Sequence, residues 1–230
     1  MKYNLVLLLF LFTSLSCFAQ KKYFFDYIIQ YRFQREQSSQ VEIRYLLTNS
    51  QDNTYDCIAY EEDKLNFTMN FRDVNGTHSV SVIDKNDFFK AETISVLCET
   101  LHYMDIKDKY DPFKFDYDFK KDTLINDQYY KNYTVKFHKK AEARKRNNSI
   151  SYYTIENNTA FHLPMLIFSG SWDWRETSKS VPNGIIKESH RLSYSKKKYL
   201  LAYKLMQFAK INKYIEFPEG CEVPSRIIFK

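Results

Sequence analysis

Tyr23, Phe25, Tyr27, Ile29, Tyr31 and Phe33 occupy every second position of one unbroken run, with Asp26, Gln30 and Arg32 between them. Successive side chains of a strand point to opposite faces, so a period of two gives a strand with one apolar and one wet face; a helix would not stripe this way. Val41, Ile43, Tyr45 and Leu47 repeat the pattern against Glu42 and Arg44. Leu65, Phe67, Met69 and Phe71 repeat it against Lys64, Asn66, Thr68 and Asn70, and Phe113, Phe115, Tyr117 and Phe119 against Lys114, Asp116 and Asp118. The polar run Asn49 to Asn53 is a turn, and Tyr55 to Tyr60 returns from it. Asp73-Val74-Asn75-Gly76 supplies the Asn-Gly pair that accepts positive φ in a tight hairpin, with His78, Val80 and Val82 as its return strand. These segments predict an antiparallel meander with one buried face.

Tyr129 to Phe137 and Ile150 to Ile155 form a further strand pair around a polar, basic tip from His138 to Asn148. Ile185 to Tyr194 and Tyr199 to Phe208 read as two strands joined by Ser195-Lys196-Lys197-Lys198, and Ile211 to Phe217 as a third ending at Pro218. Leu201, Leu205, Phe208, Asn212 and Ile215 fit a helical stripe as well, and Thr93 to Met104 fits a strand or a short helix, so helix and strand both stay open there. The 19 Tyr, 19 Phe and 2 Trp suit pleated, half-buried surfaces. The predicted fold is therefore mainly β: a single, strongly curved antiparallel sheet, a half-barrel or open barrel, with little helix. Residues 20–230 form one such domain, with no repeat or linker marking a boundary.

Residues 1–19 have the layout of a secretory signal peptide: Lys2, an apolar core from Leu5 to Phe12, and Cys17-Phe18-Ala19 as a small-residue cleavage site. That apolar run is shorter than the ~20 residues a membrane-spanning helix needs. The expectation is an exported chain, periplasmic or extracellular, with no transmembrane span after processing. Lipid anchoring at Cys17 is not expected, because Ser14-Leu15-Ser16 displaces the leucine of a lipobox by one place. Cys57, Cys98 and Cys221 then remain as disulfide candidates; an odd number permits one bridge, and its pairing is not legible. The full chain carries +6, and removing Lys2 with no acid in residues 1–19 leaves +5. That mild charge alternates with apolar residues along strands and does not make the basic face a nucleic-acid module needs.

His162-Leu163-Pro164-Met165-Leu166-Ile167 resembles the signature of the GLPGLI family, exported proteins of Gram-negative bacteria. Leu163, Pro164, Leu166 and Ile167 match it, while His162 and Met165 stand where the family has glycines. The preceding strand, Ser151 to Ile155, and the turn-like Ile125-Asn126-Asp127-Gln128-Tyr129 resemble the family's layout. The resemblance implies an envelope or secreted β protein with no established activity. A looser, fold-level likeness is to lipoprotein-carrier half-barrels, whose curved sheet shelters acyl chains.

The chemical motifs point away from catalysis. Only Gly76, Gly170, Gly184 and Gly220 are present, too dispersed for a phosphate-cradling loop, and no cofactor is implied. His78, His102, His138, His162 and His190 show no zinc-type spacing, so a metal site would have to be assembled from distant positions. Ser169-Gly170-Ser171 is not a nucleophile elbow. Asp105, Asp108, Asp111, Asp116 and Asp118 lack the order of a calcium loop, and Asp116 and Asp118 suit the wet side of a strand. Trp172 and Trp174 share a face if extended and are candidate ligand-binding residues, with core filling as the plainer role. Lys139, Lys140, Arg144, Lys145 and Arg146 are candidate contacts for anionic headgroups, against a plain solvated tip. Asp122-Thr123-Leu124 resembles an acceptor for O-linked glycans in exported bacterial proteins. The function expected is non-catalytic binding of an apolar or lipidic ligand, or of a partner protein, in the sheet's concavity. A hydrolase with dispersed catalytic residues and a structural envelope component are the alternatives.

Overall fold

The structure is a computed structural model and describes residues 21–35, 40–103, 115–138, 141, 149–165, 181–194 and 199–221. The alternating segments all become strands: β1 (Lys21–Arg35), β2 (Val41–Thr48), β3 (Tyr55–Glu61), β4 (Asn66–Asp73) and β5 (Thr77–Asp84). A short helix α1 (Lys85–Lys90) follows, then β6 (Thr93–Ser95), a 3-10 turn (Cys98–Thr100) and β7 (Leu101–Tyr103). Then come β8 (Phe115–Phe119), β9 (Thr123–Ile125), β10 (Gln128–Tyr130), β11 (Asn132–Phe137), β12 (Ser149–Ile155), β13 (Ile186–Ser193) and β14 (Tyr199–Phe217). Twelve strands make one sheet in the order β7-β5-β4-β3-β2-β1-β14-β13-β12-β11-β8, with β6 paired to β14. Its ladders are antiparallel apart from β6 on β14, and it is not closed into a barrel. The small β9–β10 hairpin stands apart, turned by Asn126 and Asp127 at positive φ.

Two details of the sequence reading need correction. Tyr199 to Phe217 is one strand of 19 residues, not two. β1 offers it a hydrogen-bonding partner from Lys21 to Arg35, and register shifts absorb the bend that a turn would have made. Val80 and Val82 do not face the core. The ladder sets them opposite Asn70 and Thr68, on the face away from Phe67, Met69 and Phe71, and Val82 is 64% exposed. Thr93 to Met104, left open, contains β6, the 3-10 turn and β7.

The larger correction concerns the interior. The single antiparallel sheet is as expected, but it has two cores where one interior was expected: β2–β5 and β11–β13 bury opposite faces, while β1 and β14 present one face to both. Directly opposed residues in an antiparallel ladder share a face. From β2 to β5 the face carrying Tyr45, Leu47, Cys57, Ala59, Phe67, Met69 and Phe71 is buried. The segment of α1, β6 and β7 covers it through Phe88, Ile94, Val96 and Leu101. Tyr23 and Phe25 of β1 and Ile215 and Phe217 of β14 complete this first core, with Tyr23 against Phe71 at 4.5 Å between ring centres. The face opposite to that of Tyr45 and Leu47 carries Leu46 of β2 and Tyr27, Ile29 and Tyr31 of β1. It is continuous with Tyr203, Tyr153, Tyr133 and Val135 of β14, β12 and β11, and together these form the second core. Asp116 and Asp118 lie on the wet side of β8, as expected: Asp118 pairs with Lys120 and Lys136, and Asp116 with His138.

Cys98 and Cys221 are disulfide-bonded, with Cα atoms 5.2 Å apart, which fastens the segment over the first core to the end of β14. Among the described residues Cys57 is the remaining thiol, buried in the first core, where desolvation pushes its pKa well up.

Candidate functional site

The two cores meet along β1 and β14, and there the sheet is interrupted. β14 is paired to β13 as far as Lys204 and to β6 from Tyr214 to Glu216. Between those stretches β1 pairs one side of β14, and among the described residues no strand pairs the other. Two register shifts bracket the gap. Phe25 opposes Lys213 but Tyr27 opposes Lys210; Gln30 opposes Gln207 but Tyr31 opposes Leu205. Each puts one extra residue into β14, the signature of a bulge, which bends a strand and re-aims its side chains. Because there are two, the alternation is restored: Tyr203, Leu205 and Ile215 fall on one face of β14, opposite Phe33, Tyr31 and Tyr23, with Tyr203 and Leu205 against the second core and Ile215 in the first.

Between the bulges Phe208 lies opposite Ile29 and Lys210 opposite Tyr27, on the face of the second core. Met206, Gln207, Phe208, Ala209 and Lys210 are all exposed, Met206 by 53% and Phe208 by 38%. Phe161 stacks on the buried Tyr27 at 5.3 Å and is itself 44% exposed; Phe208 lies 6.4 Å from the same ring. The result is an apolar shelf beside an open strand edge, supported from beneath by a core tyrosine.

The hexapeptide region fixes that shelf. The His162 imidazole is buried; its Nδ1–H donates to the Leu163 carbonyl at 2.6 Å, so Nε2 accepts from the Thr48 hydroxyl at 2.8 Å. Burial lowers its pKa, and the Leu163 contact opposes that shift. The Leu163 amide donates to the Ser50 carbonyl, Asn53 donates to the Pro164 carbonyl at 2.9 Å, and the Met165 sulfur accepts from the Ile186 amide. His162 and Met165, at the positions where the GLPGLI signature has glycines, thus tie a loop down over the second core. A pocket lined by Thr48, Asn49, Asn53, Tyr55, Asp56, His162, Pro164 and Met165 encloses about 20 Å³, room for roughly one water. The Thr48–His162 pair that lines it is buried. Nearby, the Ser50 hydroxyl donates to Asp26 at 2.5 Å rather than to a histidine.

Of the residues singled out in the sequence, Trp172, Trp174, Lys139, Lys140, Arg144, Lys145, Arg146, Ser169-Gly170-Ser171 and the signal segment 1–19 lie outside the described residues. Thr123 of the glycan-like triplet is on the β9–β10 hairpin, where its hydroxyl accepts from Asn132 at 2.6 Å. Phe161, Met206 and Phe208 were not foreseen as a site. Phe208 was read as an ordinary strand residue, and only the register shifts show which face it takes.

No family model and no curated protein matches the chain, so the likeness to the GLPGLI signature rests on the hexapeptide and its surroundings. Among solved structures the fold is similar to MucB, at a TM-score of 0.40 and 9% identity, covering 88% of this chain and 58% of that one. It is similar to the MucA/MucB complex of Pseudomonas aeruginosa, at 0.39 and 9%, covering 80% and 51%. It is similar also to a putative outer membrane lipoprotein-sorting protein domain from Vibrio parahaemolyticus, at 0.34 and 7%, covering 80% and 85%. The chain spans about half the length of the MucB chains it matches. No described helix is long and apolar enough to cross a membrane.

Proposed function

We propose that the protein is an exported envelope component that acts by binding, without catalysis, a partner polypeptide on the shelf made by Phe161 and Phe208, beside the exposed bulge residue Met206. The observation that carries this reading is the run Met206–Lys210: exposed residues in the middle of a strand, with an unpaired outer edge among the described residues. Unpaired strand amides and carbonyls are a template for another extended chain, and apolar side chains beside them supply the area that backbone pairing lacks. Export is supported by the signal-like residues 1–19 and by the Cys98–Cys221 bridge, a bond that persists in oxidising compartments.

A photo-crosslinking residue at 206 or 208, introduced into the full chain in its native cell, tests this directly. Discrete protein adducts are expected at both positions and none at 82, a still more exposed apolar position on the other half of the sheet. Adducts to lipid alone, or equal labelling at 82, would overturn it.

A further inference from the structure

We infer that His78 and His102 form a cross-strand binding site for a divalent transition-metal ion of the zinc, nickel and copper type. The two residues are 24 apart in the chain, yet β5 and β7 place them directly opposite each other. Their ring centres are 6.4 Å apart, with planes inclined at 39°. Two imidazoles sharing a metal at about 2.0–2.1 Å per nitrogen have ring centres roughly 5–6 Å apart. His102 is exposed on the edge strand, so a small rotation of its side chain closes the difference.

The partner of His78 gives the second reason. Its Nε2 lies 3.1 Å from Asn70 Oδ1; a carbonyl oxygen only accepts, so Nε2 carries the proton and Nδ1 keeps its lone pair. Metal-binding histidines characteristically donate their other ring N–H to an oxygen in this way, which sets tautomer and orientation before the metal arrives. Arg72, opposite His78 on β4, would repel a cation, but its guanidinium is engaged by Asp56 at 2.8 Å. The face therefore carries a continuous polar ladder of Asp56, Arg72, His78 and His102 across four strands.

Imidazole ligands select this class of ion over magnesium or calcium. No group of three or more His, Cys, Asp or Glu side chains converges on a metal position among the described residues, so water fills the remaining coordination positions. A bound ion would pin the three-residue strand β7 to β5, a few residues from Cys98.

The test is titration of the tag-free, processed chain with zinc or nickel alone, followed by calorimetry and thermal unfolding, with magnesium as the control ion. The expected result is binding that raises the unfolding temperature and weakens about 100-fold in His102→Gln and in His78→Gln, because each variant loses the chelate. Copper spectra should show two nitrogen ligands in the wild type and one in either variant. His102 is exposed, so His102→Gln leaves the fold intact and gives the cleaner arm. Unchanged affinity in His102→Gln, or a folded wild type that binds neither zinc nor nickel, would overturn the site.

Discussion

The half of the sheet from β2 to β5 and the half from β11 to β13 bury opposite faces, and they are closed by different means. A sheet face has to be covered by a second layer before it can serve as a core. Over the first core that layer is a stretch of chain with little structure of its own: six residues of helix, two three-residue strands and a 3-10 turn. It is anchored by Phe88, which meets Phe67 at 5.1 Å, and by a covalent bond from Cys98 to Cys221. Over the second core the layer is a loop without a disulfide among the described residues. Polar contacts hold it: His162 to Thr48, the Tyr31 hydroxyl to the Met165 sulfur at 3.7 Å, and the Ile185 amide to Thr159 at 2.9 Å. The first lid is thus fastened through the unfolded chain's entropy, the second through buried hydrogen bonds that have to be made well. The aromatic shelf lies on the second side, where the lid contributes Phe161 and, among the described residues, the strand edge is open.

Removing the covalent tie should produce the largest loss. The Cys98–Cys221 bridge spans a sequence separation of 123, for which the chain-entropy account gives about 4–5 kcal/mol. The double variant Cys98→Ser with Cys221→Ser is expected to melt about 10–15 °C lower. Hydrogen exchange should quicken first in β4, β5 and β7 and leave β11 and β12 comparatively protected. Uniform loss across both halves would mean that the two cores unfold as one unit.

A change of similar kind in the second lid comes next. Gly184 has φ +135°, and a Cβ there would fall 2.4 Å from Ile155 Cγ2 and 2.9 Å from Thr159 Oγ1. Both are packed or hydrogen-bonded against the loop, so neither can give way cheaply. Gly184→Ala is expected to cost about 3 kcal/mol, read by chemical denaturation. It should loosen the Phe161–Tyr27 stack while the disulfide-tied half stays folded.

The sequence disclosed these halves unequally. The strands were legible because period-two striping needs nothing beyond neighbouring residues, and the hairpin at Asn75-Gly76 was legible because Gly76 adopts φ 93°. Which face each strand buries was not. Val80 and Val82 look like core residues in isolation, but the ladder with β4 turns them outward and leaves Thr77 and Ser79 inward. The candidate site was hidden for the same reason. The face taken by Phe208 depends on two bulges that cancel, and the meeting of His78 with His102 depends on where β7 docks. The hexapeptide was visible as a pattern, but its part in closing the second core appears only once His162 is seen against Thr48.

A smaller effect separates the polar lid from its packing. Tyr31→Phe keeps the ring among its neighbours and removes only the hydroxyl, which donates to the Ile186 carbonyl at the start of β13 and reaches the Met165 sulfur of the lid at 3.7 Å. The expected cost is about 1–2 kcal/mol; a neutral result would make packing, not hydrogen bonding, the fastening of the second lid.

The pH dependence of the second lid gives the finest discrimination. Burial holds His162 below its ordinary value of 6.5, so on acidification the unfolded chain takes up a proton before the folded one does. Its contribution to stability is complete above about pH 6.5 and is lost as the pH falls through that value towards the folded pKa, by at most about 1.4 kcal/mol per pH unit. His78 and His190 are shifted in the same direction, so the wild-type curve alone does not isolate one group. His162→Gln removes a single titration, and the difference between the two stability curves reports it. Those curves should diverge from parallel only below about pH 6.5, with the variant the flatter. If they stay parallel to acid pH, His162 is not held neutral by burial, and the contrast between a covalently fastened lid and a proton-sensitive one fails.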